Sequence, residues 1–108
     1  MKGSTADWEE GLMRDLQDPK FAQGYVEACL EEGVPLEKAL GDVVRAQGVA
    51  KVAKRAHLDR PNVIRALRPK GNPTLATLRR LLSGVGLELS VRPRKLVKHQ
   101  RRRTSLAA

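Results

Sequence analysis

The sequence predicts a mainly α-helical domain of about five helices that ends in one short β-strand. Apolar residues recur three and four positions apart over most of the chain, which is the spacing of one helix face. The chain contains one Trp, one Tyr and one Phe, so its core must consist mostly of Leu, Val and Ala. Alternating apolar and polar residues, the pattern of a half-buried strand, form a convincing run only at residues 87–91.

Length and charge limit what the protein can be. At 108 residues it is one domain with a modest core, which a partner subunit would help to stabilise. Residues 1–42 carry four basic and ten acidic side chains and so a charge of −6, whereas residues 43–108 carry 17 basic and two acidic side chains and so a charge of +15. This asymmetry indicates that the second half contacts nucleic acid and that the first half does something else.

The sequence carries no targeting signal that we can identify. The N-terminal residues MKGSTADWEEGL lack the apolar run of a signal peptide, and nowhere do 18 apolar residues follow one another. The single cysteine, Cys29, falls on the apolar face of a predicted helix, so packing is its expected role and an intramolecular disulfide is impossible. We therefore expect a soluble, cytoplasmic protein with no membrane contact.

The first predicted helix covers residues 5–16. Its first turn is acidic, which suits the positive end of a helix, and Trp8, Leu12 and Leu16 repeat every four residues as a narrow apolar stripe. Trp8 either covers the core, the commoner role, or anchors a partner protein together with Leu12, because tryptophan is enriched at binding hot spots.

Two further helices follow. Asp18 and Pro19 combine an N-cap with a proline in the first turn, and Gly33 ends the helix that they begin. The inner face of this helix is predicted to comprise Phe21, Tyr25, Ala28 and Cys29. The next helix ends at Gly48, and its inner face is predicted to comprise Leu36, Ala39, Leu40, Val43 and Val44.

Residues 49–67 indicate two short helices joined by a tight turn. The first has a small apolar face, which lets another helix come close, made of Val49, Val52, Ala53 and Ala56. In the second, the Asp59 side chain can cap the helix and Pro61 falls in the first turn. Its inner face comprises Val63, Ala66 and Leu67. This is the pattern of a helix-turn-helix that reads DNA, although a helical hairpin with a solvated basic face gives the same short pattern.

The outer face of the second short helix carries the candidate DNA contacts. A helix that lies in a major groove presents side chains near its N-terminus to base edges. The residues expected to read bases are Arg60, Asn62 and Arg65, with Ile64 beside them. The residues expected to contact phosphate are Lys51, Lys54, Arg68, Lys70 and Asn72.

The remaining chain contains a helix, a strand and a tail. The helix covers residues 74–83, with Leu75, Leu78, Leu81 and Leu82 expected to face inward. A single strand at residues 87–91 needs a partner, either the same strand of a second subunit or a strand of another protein. Residues 93–108 are basic and have little that could pack, so we expect a disordered tail that either solubilises the protein or adds phosphate contacts to nucleic acid.

Catalytic and metal-binding patterns are missing from the sequence. Cys29, His57 and His99 are isolated and lack the paired spacing of a zinc site. The acidic residues are spread over helix surfaces, and no Ser, His and acid grouping stands out. We therefore expect no metal, no cofactor and no enzymatic activity.

The stretch GDVVRAQGVAKVAKRAHLDRPNVIRAL, followed by GNPTLATLRRLLSGVGLELSV, resembles the addiction-module antidote proteins, the HigA-like antitoxins with a Cro and repressor type of helix-turn-helix. The similarity covers about residues 18–91 and includes Gln47 with Gly48, the loop at 71–73 and the Leu-rich helix that follows. It implies a core like that of lambda repressor in residues 34–92, including the strand. From the charge split, and not from the family, we infer that acidic helices in residues 1–33 contact a toxin or another partner.

The resemblance implies a homodimer that represses its own promoter at a palindromic operator in double-stranded DNA and neutralises a RelE-like ribonuclease toxin. The chain departs from the family at His57, where a glycine is usual, so this residue must adopt the turn geometry under strain or form a different turn. Pro61 replaces a helix-forming residue, and Ile64 stands where an aromatic is common.

Two alternatives stay open. The first is a stand-alone or phage-type repressor without a toxin. The second is a basic RNA-binding protein that acts through its tail, against which stands the absence of Phe, Tyr and Trp from residues 43–108.

Overall fold

A computed structural model describes residues 5–94, including the side chains of residues 7–94. The described chain forms six α-helices: α1 (Thr5–Asp15), α2 (Pro19–Glu31), α3 (Leu36–Gln47), α4 (Val49–Ala56), α5 (Arg60–Leu67) and α6 (Leu75–Gly84). The mainly α fold is confirmed, with six helices in these residues where about five were expected. Apart from residues 93 and 94, the predicted basic tail lies outside the described residues.

Helix α3 lies at the centre of the domain. It packs against α1, α2, α4 and α5, and α6 packs against α4. Its predicted inner face is confirmed, because Leu36 is half-buried and the other four residues are buried. The core also includes fully buried side chains from every other part of the helical array, among them Leu16, Val52, Val63 and Leu81. Burial of this shared core fixes how the other helices lie around α3.

Three helices end in the same hydrogen-bonded motif, in which a residue with left-handed backbone closes the last turn. After α2 and α6 this residue is a glycine, Gly33 with φ +86° and Gly86 with φ +90°. After α4 it is His57, with φ +59° and ψ +41°. The next N–H, that of Leu58, donates to the Ala53 carbonyl at 2.9 Å. The chain therefore keeps the turn geometry and places a histidine where glycine is the least strained residue.

Replacing His57 with glycine is expected to stabilise the domain. A residue with a Cβ pays about 1–2 kcal/mol in the left-handed conformation, and the extra freedom of glycine in the unfolded chain offsets part of the gain. We expect the free energy of unfolding to rise by about 0.5–1 kcal/mol, as measured by chemical denaturation. His57→Ala is the matched control, because it removes the imidazole and keeps the strain. A glycine variant no more stable than the alanine variant would contradict this account of the turn.

The predicted C-terminal strand is wrong for the described chain. Residues 87–94 adopt no regular secondary structure, and residues 5–94 contain no strand. A strand needs a neighbour to pair its backbone N–H and C=O groups, and the described residues offer none. The apolar side chains of this run were expected to alternate into a core, but those of Leu89 and Val91 are exposed.

Several predicted inner faces also need correction. Trp8 is 67% exposed and does not cover the core, and Leu75 is 61% exposed. Both lie in the first turn of a helix. In α2 the buried residues are Ala22 and Val26, with Tyr25 and Cys29 half-buried, whereas Phe21 and Ala28 are exposed. The stripe through Ala22 and the predicted stripe through Phe21 have the same spacing, so periodicity could not choose between them.

Candidate nucleic-acid interface

Packing of α4 and α5 determines which side chains reach the solvent. The two helices contact each other, and both contact α3. The faces turned inward carry Val52, Ala53, Ala56, Val63 and Ala66, all of which are buried. The opposite face of α5 carries Arg60, Asn62, Ile64 and Arg65, all of which are exposed. The structure thus places the three base-reading candidates on one solvent-facing surface.

The start of α5 differs from the prediction. Asp59 occupies the N-cap position, but its side chain makes no capping hydrogen bond. Its backbone carbonyl accepts hydrogen bonds from the N–H groups of Asn62 and Val63, each at 3.1 Å. In α2, by contrast, Asp18 accepts the N–H of the second helical residue, Lys20, at 3.1 Å. Pro61 stands at that second position in α5 and has no N–H to donate, and the N–H of the third residue, Asn62, donates to the Asp59 backbone carbonyl instead.

The base-reading candidates fall into two groups. Arg65 Nη1 donates to Asn62 Oδ1 at 2.6 Å, so these two side chains are held together one turn apart on α5. Arg60 instead lines a shallow depression with Lys51 and the first residues of α4. A cation on each short helix and the free N–H groups that open α4 therefore meet at one place, and this arrangement can bind an anion.

The other phosphate candidates lie at the surface as well. Lys54 is exposed on α4, and Arg68, Lys70 and Asn72 are exposed in the loop that follows α5. A Cβ on Gly71 would lie 2.5 Å from the Arg65 carbonyl oxygen, so the loop packs directly against the end of α5. No basic side chain of residues 48–94 forms a salt bridge with another described residue. The surface around α5 thus keeps its positive charge.

Sequence reasoning missed a polar connection behind this surface. Gln47 Nε2 donates to the carbonyls of Leu16 at 3.3 Å and Val85 at 3.1 Å, and these two residues directly follow α1 and α6. Gln47 Oε1 accepts from Arg55 Nη1 at 3.3 Å, and the same guanidinium donates to the Gly84 carbonyl at 3.4 Å. The two partners of the Gln47 amide nitrogen are backbone groups 31 and 38 residues away, so no local pattern could have revealed this role.

Replacing Gln47 with alanine is expected to lower the free energy of unfolding by about 1–3 kcal/mol, because two carbonyls lose a donor in a partly buried place. Chemical denaturation measures the loss. Gln23→Ala is the matched control, since Gln23 is exposed and bonds only within α2, to Glu27. The control should stay within about 0.5 kcal/mol of the wild type. Equal effects for the two variants would refute the role given to Gln47.

A second surface feature lies between α1, α2 and α3. Trp8 and Leu12 line an open cleft of about 780 Å³ together with Met13, Tyr25 and the acidic pair Glu9 and Glu10. We call it the N-terminal cleft. At its wall the Tyr25 hydroxyl donates to Asp42, which also pairs with Arg45 and lies 3.9 Å from Lys38 Nζ. Burial, with the hydrogen bond to Asp42, raises the pKa of Tyr25 far above its ordinary value. The Tyr25 hydroxyl therefore stays protonated and keeps donating the hydrogen bond that links α2 to α3.

Two features are absent from the described residues. None of the helices in residues 5–94 has the length and apolar character that a membrane span requires. No group of three or more His, Cys, Asp or Glu side chains in this part of the chain is placed to hold a metal ion. The described residues thus form a basic surface on two short helices and, apart from it, a cleft lined by three acidic and two basic side chains.

Comparison with known proteins places the chain in a family. The family model described as a probable addiction module antidote protein matches residues 11–93. An uncharacterized protein from Haemophilus influenzae is 36% identical over 53 residues, which make up 49% of this chain and 55% of that protein, so the chain spans about half the length of this relative. No solved structure matches the chain. The protein belongs to the family of probable addiction module antidote proteins. Its HigA-like subtype stays a prediction.

Proposed function

We propose that this protein is a HigA-like antitoxin that binds the operator of its own operon as a homodimer and neutralises a RelE-like toxin. The observation that carries the proposal is the exposed face of α5, where Arg60, Asn62 and Arg65 stand on a surface whose cations have no acidic partner among the described residues. Membership of the antidote family supports the antitoxin role.

In this proposal α4 and α5 act as a helix-turn-helix of the lambda-repressor type. Helix α5 enters the major groove, where Arg60 and Arg65 can each pair with the O6 and N7 acceptors of a guanine. The hydrogen bond to Asn62 holds the Arg65 guanidinium over the groove before DNA arrives, which reduces the ordering cost of binding. Asn62 keeps its amide N–H groups for a base or a phosphate.

Phosphate contacts would fix the register of α5 on the duplex. Lys51 and the free N–H groups of α4 bind one phosphate, with Lys54 beside them. Arg68, Lys70 and Asn72 bind the backbone on the far side of α5, where Gly71 holds the loop close to the helix. In a two-fold symmetric dimer, one α5 helix reads each half-site of a palindrome, and the half-sites lie about 34 Å apart.

The N-terminal cleft is the proposed contact for the toxin. Residues 1–42 carry a charge of −6, which complements a basic partner surface. Trp8 is the largest side chain exposed there and lines the cleft beside Leu12, as an anchor at the centre of an interface would. The acidic helices and the basic helices would thereby serve separate partners.

Selection from a random library of duplexes tests the DNA proposal. The full-length protein should enrich one two-fold symmetric motif, and the same motif should occur upstream of its own gene. Footprinting on that upstream segment then locates the operator. Failure to enrich any motif, while the protein still retains duplexes at low salt, would leave only non-specific binding and remove the operator from the proposal.

Co-expression tests the toxin proposal. The product of the neighbouring reading frame should arrest growth when expressed alone and should be neutralised by this protein. Trp8→Ala should weaken neutralisation, whereas Leu75→Ala should not, because Leu75 is equally apolar and exposed but lies on α6, away from the N-terminal cleft. If no neighbouring product arrests growth, the stand-alone repressor is the better assignment.

Deleting residues 93–108 separates duplex reading from tail-driven binding. If α5 reads the operator, the shortened protein keeps its sequence preference and loses only affinity and part of its salt dependence. If both sequence preference and affinity disappear, a tail-driven nucleic-acid binder is favoured. The measurement is the ratio of operator affinity to random-duplex affinity at two salt concentrations.

A further inference from the structure

A second basic depression lies at the other end of α4. It has a volume of about 360 Å³ and forms where the last turn of α4 meets the outer face of α6. Its lining contains three arginines, a histidine and a hydroxyl: Arg55, His57, Arg79, Arg80 and Ser83.

The composition of this depression favours one kind of ligand. No carboxylate lines it, and the acidic residues of the second half of the chain, Asp59 and Glu88, lie elsewhere. The side chains of His57, Arg79 and Arg80 are exposed and make no hydrogen bond or ion pair with another described residue, so their donors are available. Planar guanidinium groups match the oxygens of a phosphate in pairs, and a hydroxyl and an imidazole add further donors.

One wall of the depression is held in place before any ligand binds. Arg55 Nη1 bonds to Gln47 Oε1 and to the Gly84 carbonyl, which joins the end of α4 to the end of α6. Helices α4 and α6 are also packed tightly here, since a Cβ on Gly84 would lie 3.0 Å from the Val52 carbonyl oxygen. The spacing between the arginines of α6 and the residues of α4 is therefore fixed by the fold.

His57 gives an independent reason to assign a ligand. It holds a left-handed backbone conformation that the corresponding positions after α2 and α6 give to Gly33 and Gly86. Residues held in strained backbone conformations cluster at functional sites, and a glycine here would remove the strain but could not supply an imidazole. The imidazole of His57 has no partner in the described chain and lines the depression, so the strain coincides with the cationic cluster.

We propose that Arg55, His57, Arg79, Arg80 and Ser83 form a phosphate-binding site, which we call the α4–α6 anion site. It is distinct from the proposed operator contact, because none of the residues assigned to base reading or to phosphate contact around α5 lines it. Two sources can supply the phosphate group. One is the backbone of a DNA segment beyond the bases that α5 reads, and the other is a free phosphorylated molecule.

Titration of the full-length protein with inorganic pyrophosphate tests the site directly. Amide NMR signals of His57 and Ser83 should shift and saturate, and Arg79→Ala combined with Arg80→Ala should weaken the binding by at least about tenfold. The matched control combines Arg92→Ala with Arg94→Ala, which removes the same charge from exposed residues that lie outside the α4–α6 anion site. Equal weakening by both double variants, or no saturable shift in the wild type, overturns the proposal.

The salt dependence of binding to random duplex DNA then shows which of the two sources supplies the phosphate group. If DNA supplies the phosphate, the Arg79 and Arg80 double variant lowers the slope of log affinity against log salt by up to about two units relative to the wild type. If the slope does not change while pyrophosphate still binds the wild type, a free phosphorylated molecule is the ligand. The pyrophosphate measurement needs no operator, so its outcome is independent of whether α5 reads DNA.

Discussion

Replacing Gly84 with leucine should lower the free energy of unfolding by about 3 kcal/mol, near the upper end of the cost of inserting side-chain atoms into a packed interface. Gly84 lies in α6 where that helix meets α4. A Cβ on it would lie 3.0 Å from the Val52 carbonyl oxygen, 3.1 Å from Val52 Cγ1 and 3.2 Å from Ala56 Cβ. Leucine adds three further carbon atoms, so α6 must move away from α4.

Thermal unfolding measures this loss, and the midpoint should fall by about 12–24 °C if each kcal/mol corresponds to about 4–8 °C in a domain of this size. Gly24→Leu is the matched control. Gly24 is also helical, but nothing lies within 4 Å of its Cβ position, so leucine should stabilise α2 slightly through its better helix propensity. Similar losses at both positions would show that α4 and α6 do not approach each other this closely.

Replacing Arg65 with alanine should reduce the preference for operator over random DNA by about 1–3 kcal/mol, which corresponds to about 5–150-fold. Arg65 is exposed on the outer face of α5 and bonded to Asn62, so its removal takes away one base contact and frees the other side chain. The loss should fall on one base pair of each half-site, which a library selection with the variant reveals as a relaxed position.

Lys70→Ala provides the contrast for Arg65→Ala. Lys70 is exposed in the loop after α5 and is expected to contact phosphate, so its removal should weaken operator and random DNA alike and lower the salt slope by about one unit. The two variants remove one positive charge each. If Arg65→Ala also weakened both kinds of DNA equally, its assignment to base reading would be wrong.

Helix boundaries were predictable because capping residues act locally. Asp18 with Pro19 starts α2, Gly33 closes it with a left-handed backbone, and Gly48 ends α3 as expected. The apolar stripe of α3 was also predictable, since a helix at the centre of a small domain buries a wide face. Each of these predictions needed only neighbouring residues and the period of the helix.

Features that depend on distant partners were not predictable. Trp8 and Leu75 continue an apolar stripe, but the stripe does not show which of its residues stay exposed at the end of a helix. The predicted strand failed because its partner would have to come from outside the described chain. Gln47 bonds to backbone groups far along the sequence, and such contacts leave no pattern.

The candidate DNA surface contains features that the sequence predicted and features that it did not. Periodicity placed Arg60, Asn62 and Arg65 on one exposed face of α5, and the structure agrees. The hydrogen bond between Arg65 and Asn62 and the nearness of Arg60 to Lys51 came only from the three-dimensional arrangement. The cap that was expected from Asp59 is missing, because Pro61 has no N–H and the Asn62 N–H donates to the Asp59 backbone carbonyl instead.

The central claim is that the outer face of α5 lies in the major groove, and disulfide trapping tests it most directly. Ile64 is 52% exposed on that face, so Ile64→Cys in a Cys29→Ala background should form a covalent complex with an operator that carries a thiol tether on a cytosine N4, which points into the major groove. Val91→Cys, at a position 96% exposed but far along the chain from α5, should form none. Trapping at position 91 without trapping at position 64 would contradict the claim.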